Sequence, residues 1–89
     1  YFFLLAESML AAARGFGFSE IESRKLVGKT FKAAAALDTE GDYSALIKKV
    51  ASKRGTTEAA LKFFKSKKLE KIVGGAANAA YRRAQELSR

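Results

Sequence analysis

Small hydroxyls, a glycine and an expected helix N-terminus converge once in this 89-residue chain, in Val50-Ala51-Ser52-Lys53-Arg54-Gly55-Thr56-Thr57. Glu58, Ala59, Ala60 and Leu61 follow, so the stretch reads as a turn running into a helix start. The first amides of a helix have no intrahelical acceptor and carry the positive end of its dipole. Gly55 allows the backbone close to a ligand. Thr56 and Thr57 add hydroxyls, and Lys53 and Arg54 add positive field. Such a set can cradle a carboxylate or a phosphate. The same residues also make an ordinary capping turn, with Thr56 or Thr57 as cap, and caps far outnumber anion sites.

Other chemistry has little to work with. The chain has no histidine and no cysteine. It therefore lacks the commonest general base and metal ligand, any thiolate, and any disulfide. No metal site is expected, and the absence of cysteine fits a reducing, cytoplasmic compartment. Glu20, Glu22, Asp38, Glu40 and Asp42 stand at expected helix ends, where capping and dipole effects account for them. No nucleophile–base arrangement is visible. The net charge of +8 favours anionic partners, and is equally the solvated surface of a lysine-rich domain. The run from Lys62 to Lys71 interleaves lysines with Phe63 and Phe64. It suits nucleic acid, or, more commonly, a helix with a wet lysine face and a buried phenylalanine face.

The elements that must position the loop are helical. Proline is absent, alternating strand patterns are missing, and the expectation is an all-α bundle of about five helices. The first runs from Tyr1 to about Arg14, is apolar on so wide an arc that burial on most sides is expected, and stops at Gly15-Phe16-Gly17. The second opens with Ser19 and Glu22, a capping box, and runs to about Leu37 before Asp38-Thr39-Glu40-Gly41. The third is capped by Asp42 and carries Tyr43, Leu46, Ile47 and Val50 at i, i+3, i+4 and i+7. The fourth follows the loop and ends near Ser66-Lys67-Lys68. The fifth, the longest, runs from Leu69 to Leu87. Gly74-Gly75 inside it weaken the helix, and a small-residue surface of Gly75, Ala76, Ala79 and Ala80 suits close approach of another helix.

An 89-residue chain buries only about 60–65% of its unfolded surface, and these helices are rich in apolar residues. Two copies pooling their cores as a homodimer is therefore expected. The chain opens on Tyr1-Phe2-Phe3-Leu4-Leu5, an apolar start that reads as interior structure and suggests a missing N-terminal part. No basic segment precedes it as in a signal peptide, and Glu7 and Arg14 cut it too short to span a membrane.

Three stretches in order carry a resemblance: Tyr1-Phe2-Phe3-Leu4-Leu5-Ala6-Glu7, the loop Val50 to Leu61, and Ala76-Ala77-Asn78-Ala79-Ala80-Tyr81-Arg82-Arg83-Ala84-Gln85-Glu86-Leu87. Over essentially the whole length the chain resembles the C-terminal domain of pyrroline-5-carboxylate reductase, whose loop usually reads Val-x-Ser-Pro-Gly-Gly-Thr-Thr. A Ser-Gly-Pro-Ala that typically precedes the Tyr-Phe in that family would lie just upstream of Tyr1. The resemblance implies an intertwined dimer like the C-terminal domain of 6-phosphogluconate dehydrogenase. It further implies NADPH or NADH on an N-terminal Rossmann domain that these 89 residues do not contain, so that the chain alone is inactive. The implied reaction is reduction of 1-pyrroline-5-carboxylate to L-proline, in proline biosynthesis. By position, Ser52, Gly55, Thr56 and Thr57 bind substrate. The amides of Gly55, Thr56 and Thr57 meet its carboxylate, and the Thr57 hydroxyl meets the ring nitrogen as the catalytic residue.

The loop departs from that pattern at Lys53-Arg54, which stand for Pro-Gly, and Lys48 stands where the family usually has Asp. These departures motivate a second reading, a non-catalytic dimerisation module. A basic helical nucleic-acid binder is the third.

Overall fold

A computed structural model describes residues 1–38, 41–51 and 55–88. It contains five α-helices: α1 (Phe2–Gly15), α2 (Glu20–Leu37), α3 (Tyr43–Ala51), α4 (Thr56–Ser66) and α5 (Leu69–Leu87). No strand occurs among the described residues, in keeping with the all-α expectation. The turn expected at Asp38-Thr39-Glu40-Gly41 falls partly outside them, at Thr39 and Glu40. The chain divides into two units, Tyr1–Asp42 and Tyr43–Arg89.

In the first unit α1 and α2 form a helical hairpin. Gly17 follows the C-cap Phe16 with φ of 101°, a backbone state that glycine reaches without a Cβ clash. The Phe18 amide then donates to the Ala13 carbonyl at 3.2 Å, and the Gly17 amide to Arg14 at 3.0 Å. These two bonds make a Schellman motif, which satisfies carbonyls that the helix end would otherwise leave unpaired. The expected capping box starts α2. The Glu22 amide donates to Ser19 Oγ at 3.1 Å, and the Ser19 amide donates to Glu22 Oε1 at 2.9 Å. An Arg14–Glu20 ion pair of 2.7 Å spans the turn between them. Both its partners are exposed, so it contributes little beyond orientation.

Val27 on α2 is the buried hydrophobic residue among the described ones, and Ser23, one turn earlier, is fully buried. The Phe2 and Phe31 rings meet edge to face at 6.5 Å and 82°. The expected burial of α1 on most sides is not met. It has no buried residue, and Phe3 is 91% exposed. A helix with one packed neighbour covers one face, and α1 packs on α2.

In the second unit α3 packs on α4 and α4 on α5. The α3 stripe delivers Ile47 to a groove of about 550 Å³ that it lines with Leu61, Phe64 and Leu69. The passage from α4 to α5 takes two residues. The Lys67 amide donates to Phe63 at 3.0 Å and the Lys68 amide to Lys65 at 3.1 Å. Lys68 then turns left-handed, with φ of 57° and ψ of 50°. A lysine there carries the Cβ clash that a glycine would avoid. Lys67 Nζ lies 5.6 Å from the centre of the Phe63 ring, so this part of the basic run covers an aromatic face. Within α5, Gly74 and Gly75 each cost about 1 kcal/mol against alanine. Nothing lies within 4 Å of a Cβ built on either, so the close helix approach expected there is not made by the described residues of this unit.

Candidate functional site

The site begins where α4 begins. Gly55 is the N-cap, with φ of 73° and ψ of 0°. Its carbonyl accepts the first helical bond, from the Ala59 amide at 2.9 Å. This corrects the expectation that Thr56 or Thr57 caps the helix. With the left-handed state taken by glycine at no steric cost, the helical backbone starts one residue earlier, and both threonines lie inside it. No side chain among the described residues caps the N-terminus.

The shift changes what the threonines are free to do. Thr56 and Thr57 occupy the first and second helical positions, where amides have no acceptor one turn back. Side chains on a helix lean toward its N-terminus, so both hydroxyls lean the way their amides point. Thr57 is half-buried, whereas Gly55 and Thr56 are exposed. Amides, dipole and a partly shielded hydroxyl therefore converge at one end of an 11-residue helix.

Glu58, at the third position, is exposed and acidic in the first turn, where it stabilises the helix. Ser52, expected to bind substrate, lies outside the described residues, as do Lys53 and Arg54. Lys48 and Lys49 form the basic last turn of α3, where they complement its negative end. Among the described residues no group of histidine, cysteine or carboxylate side chains could hold a metal ion. No helix of the described residues is long and apolar enough to cross a membrane.

Five helices with largely uncovered apolar faces define an all-α domain. The family described as "Pyrroline-5-carboxylate reductase dimerisation" matches residues 1–87, and the chain belongs to it. A pyrroline-5-carboxylate reductase of Pseudomonas aeruginosa is 40% identical over 90 residues, covering 99% of this chain and 33% of the relative. One from Vibrio alginolyticus is 39% identical, covering 100% and 34%, and one from Haemophilus influenzae is 36% identical, covering 98% and 33%. The chain thus spans about a third of the length of the relatives it matches. No solved structure gives a significant match.

Proposed function

We propose that this chain is the dimerisation and substrate-binding domain of a cytoplasmic reductase that converts 1-pyrroline-5-carboxylate to L-proline. The family match supports the enzyme class, and the free start of α4 supports the site. The substrate carries a carboxylate beside a ring imine. The amides of Gly55, Thr56 and Thr57 bind the carboxylate, and Ser52, outside the described residues, is a further proposed substrate ligand. The Thr57 hydroxyl holds the ring nitrogen and orients the C=N carbon. NADPH or NADH, held by a Rossmann domain outside these 89 residues, supplies the hydride when bound. This chain's residues fix the acceptor and complement its charge. Without that domain the chain is inactive. The functional unit is a homodimer, supported by the family description and by the exposed apolar faces of α1 and α5.

The observation that carries the site is the glycine-started α4, with two threonines in its first turn and no side-chain cap. Its test is Thr57→Ala in the full-length enzyme. Losing a hydrogen bond to a charged group costs about 1.5–3 kcal/mol, which predicts a fall of roughly 10- to 150-fold in kcat/KM. Unchanged kinetics would remove Thr57 from the site.

A second reading, a catalytically silent dimerisation module, is favoured by Lys53-Arg54 and Lys48 in place of the residues usual in this family. Measured reduction by the full-length protein with its native loop separates the two. Ordinary turnover rejects the silent module, and turnover that appears only on restoring Pro-Gly at 53–54 supports it.

A further inference from the structure

We infer that the lysine-rimmed groove between α4 and α5, with Ile47 of α3 on its floor, docks an acidic amphipathic segment of another protein. The groove measures about 550 Å³, within the roughly 300–1,000 Å³ of ordinary binding pockets. Ile47, Leu61, Phe64 and Leu69 make its apolar floor. Leu61 is half-buried, whereas Ile47, Phe64 and Leu69 are 46%, 42% and 41% exposed. Covering such a floor with apolar anchors is favourable by about 25 cal/mol for each Å² removed from water. The groove lies toward the C-terminal end of α4, whose 11 residues place its two ends about 16 Å apart. It is therefore separate from the start of α4 that the proposed function uses.

The rim decides what the anchors must carry with them. Lys65, Lys68 and Lys71 stand on it against a single lining carboxylate, Glu70. Lys62 and Lys67, in the same stretch, add to the positive field. Lys68 holds its place in the left-handed state, where a lysine carries a clash that glycine avoids. A cation stands there against the local backbone preference, and a use for its charge on the rim accounts for that.

A second copy of this chain does not fit the rim. It carries 17 lysines and arginines against 9 acidic residues, a net charge of +8, and meets the lysines with like charge. Three of the four floor residues are aliphatic and give a nucleic-acid base no face to stack on. A concave groove does not lie flat on a bilayer, as a membrane-bound amphipathic helix does. What suits both floor and rim is a helix laid in the groove, with large apolar side chains on one face and aspartates or glutamates flanking them. Its anchors fill the floor and its carboxylates pair with the lysines that outnumber Glu70.

The test uses the full-length protein and a fluorescein-labelled synthetic helix, with leucines at i, i+3, i+4 and i+7 flanked by glutamates. Two control peptides carry glutamine for every glutamate, or serine for every leucine. Fluorescence anisotropy reads the dissociation constants. The Leu–Glu peptide is expected to bind at least about tenfold more tightly than either control, a comparison that needs no variant. Lys65→Glu with Lys71→Glu, both exposed positions, is expected to weaken its binding by about tenfold or more. Lys25→Glu with Lys29→Glu on α2 makes the same change in net charge away from the groove, and is expected to leave binding within about twofold. Circular dichroism confirms that each variant keeps the helix content of the parent. No binding of the Leu–Glu peptide, equal binding of either control, or equal losses in the two lysine pairs overturns the proposal. Tighter binding of an oligouridylate, or of phosphatidylglycerol vesicles, that displaces the peptide assigns the groove to nucleic acid or to a membrane and also overturns it. A change in sedimentation on the Lys65→Glu and Lys71→Glu pair, with no peptide present, assigns it to a second copy, with the same consequence.

Discussion

Where a single hydroxyl stands separates a cap from a binding group at the start of α4. Gly55 takes the cap, so Thr57, half-buried in the first turn, is not the cap, and the proposed function assigns its hydroxyl to the ring nitrogen of the substrate. Ser23 is the opposite case, a fully buried residue whose Oγ has no hydrogen-bond partner among the described residues. A buried unsatisfied group costs about 1–3 kcal/mol. Ser23→Ala is thus expected to raise the urea midpoint of unfolding, by roughly 1 kcal/mol or more in stability. A loss of stability would mean that Ser23 finds a partner in the assembled protein. At Glu22 the consequence depends on pH. The Ser19 amide, and after it the Ser19 hydroxyl, hold this carboxyl below its ordinary value of 4.5. The folded chain therefore binds that proton less readily than the unfolded one. The stabilising contribution is complete above about pH 4.5 and is lost as pH falls through the folded value. Acid unfolding curves of the parent and Glu22→Gln should differ near neutrality and converge below that range. A gap that stays constant through the acid range would contradict the capping account.

The helices themselves were legible wherever a local device stops or starts them. Gly15-Phe16-Gly17 ends α1 as a Schellman motif, and Ser19 with Glu22 opens α2 as a capping box. Both act through residues adjacent in sequence, so pattern alone finds them. Two features escaped. Gly55 caps α4 in place of a threonine, because a left-handed glycine moves the helix start and leaves no trace in hydrophobic period. Lys68 makes a left-handed turn that composition would assign to glycine or asparagine. It is held there by the short passage between two packed helices. Replacing it with glycine relieves a clash of about 1–2 kcal/mol, partly offset by a more flexible unfolded chain. Lys68→Gly is therefore expected to raise Tm, as followed by circular dichroism. A lower Tm would show that the lysine side chain, not the turn, governs this connection. Of the proposed site, Gly55, Thr56 and Thr57 were named from residue type and stand at the start of α4, while Ser52 lies outside the described residues. The anion such a helix start would take is not encoded in its spacing. Resemblance across the chain supplied it.

At the scale of the whole molecule, most large apolar residues among the described ones are left exposed. Leu4 is 69% exposed, Ile72 61% and Tyr81 63%, and burial among the described residues is confined to Val27 and Ser23. Period along a helix reports that a face is apolar but not which surface covers it, so the wide apolar arc of α1 could not distinguish an internal neighbour from a second chain. A domain of this size has little surplus stability to leave such faces in water. If association covers them, unfolding is coupled to assembly, and Tm must rise with protein concentration. Sedimentation equilibrium of the 89-residue chain at micromolar concentration tests this most directly. The account predicts a dimer, with dissociation accompanied by loss of helix signal. A stable, compact monomer with full helix content would contradict it.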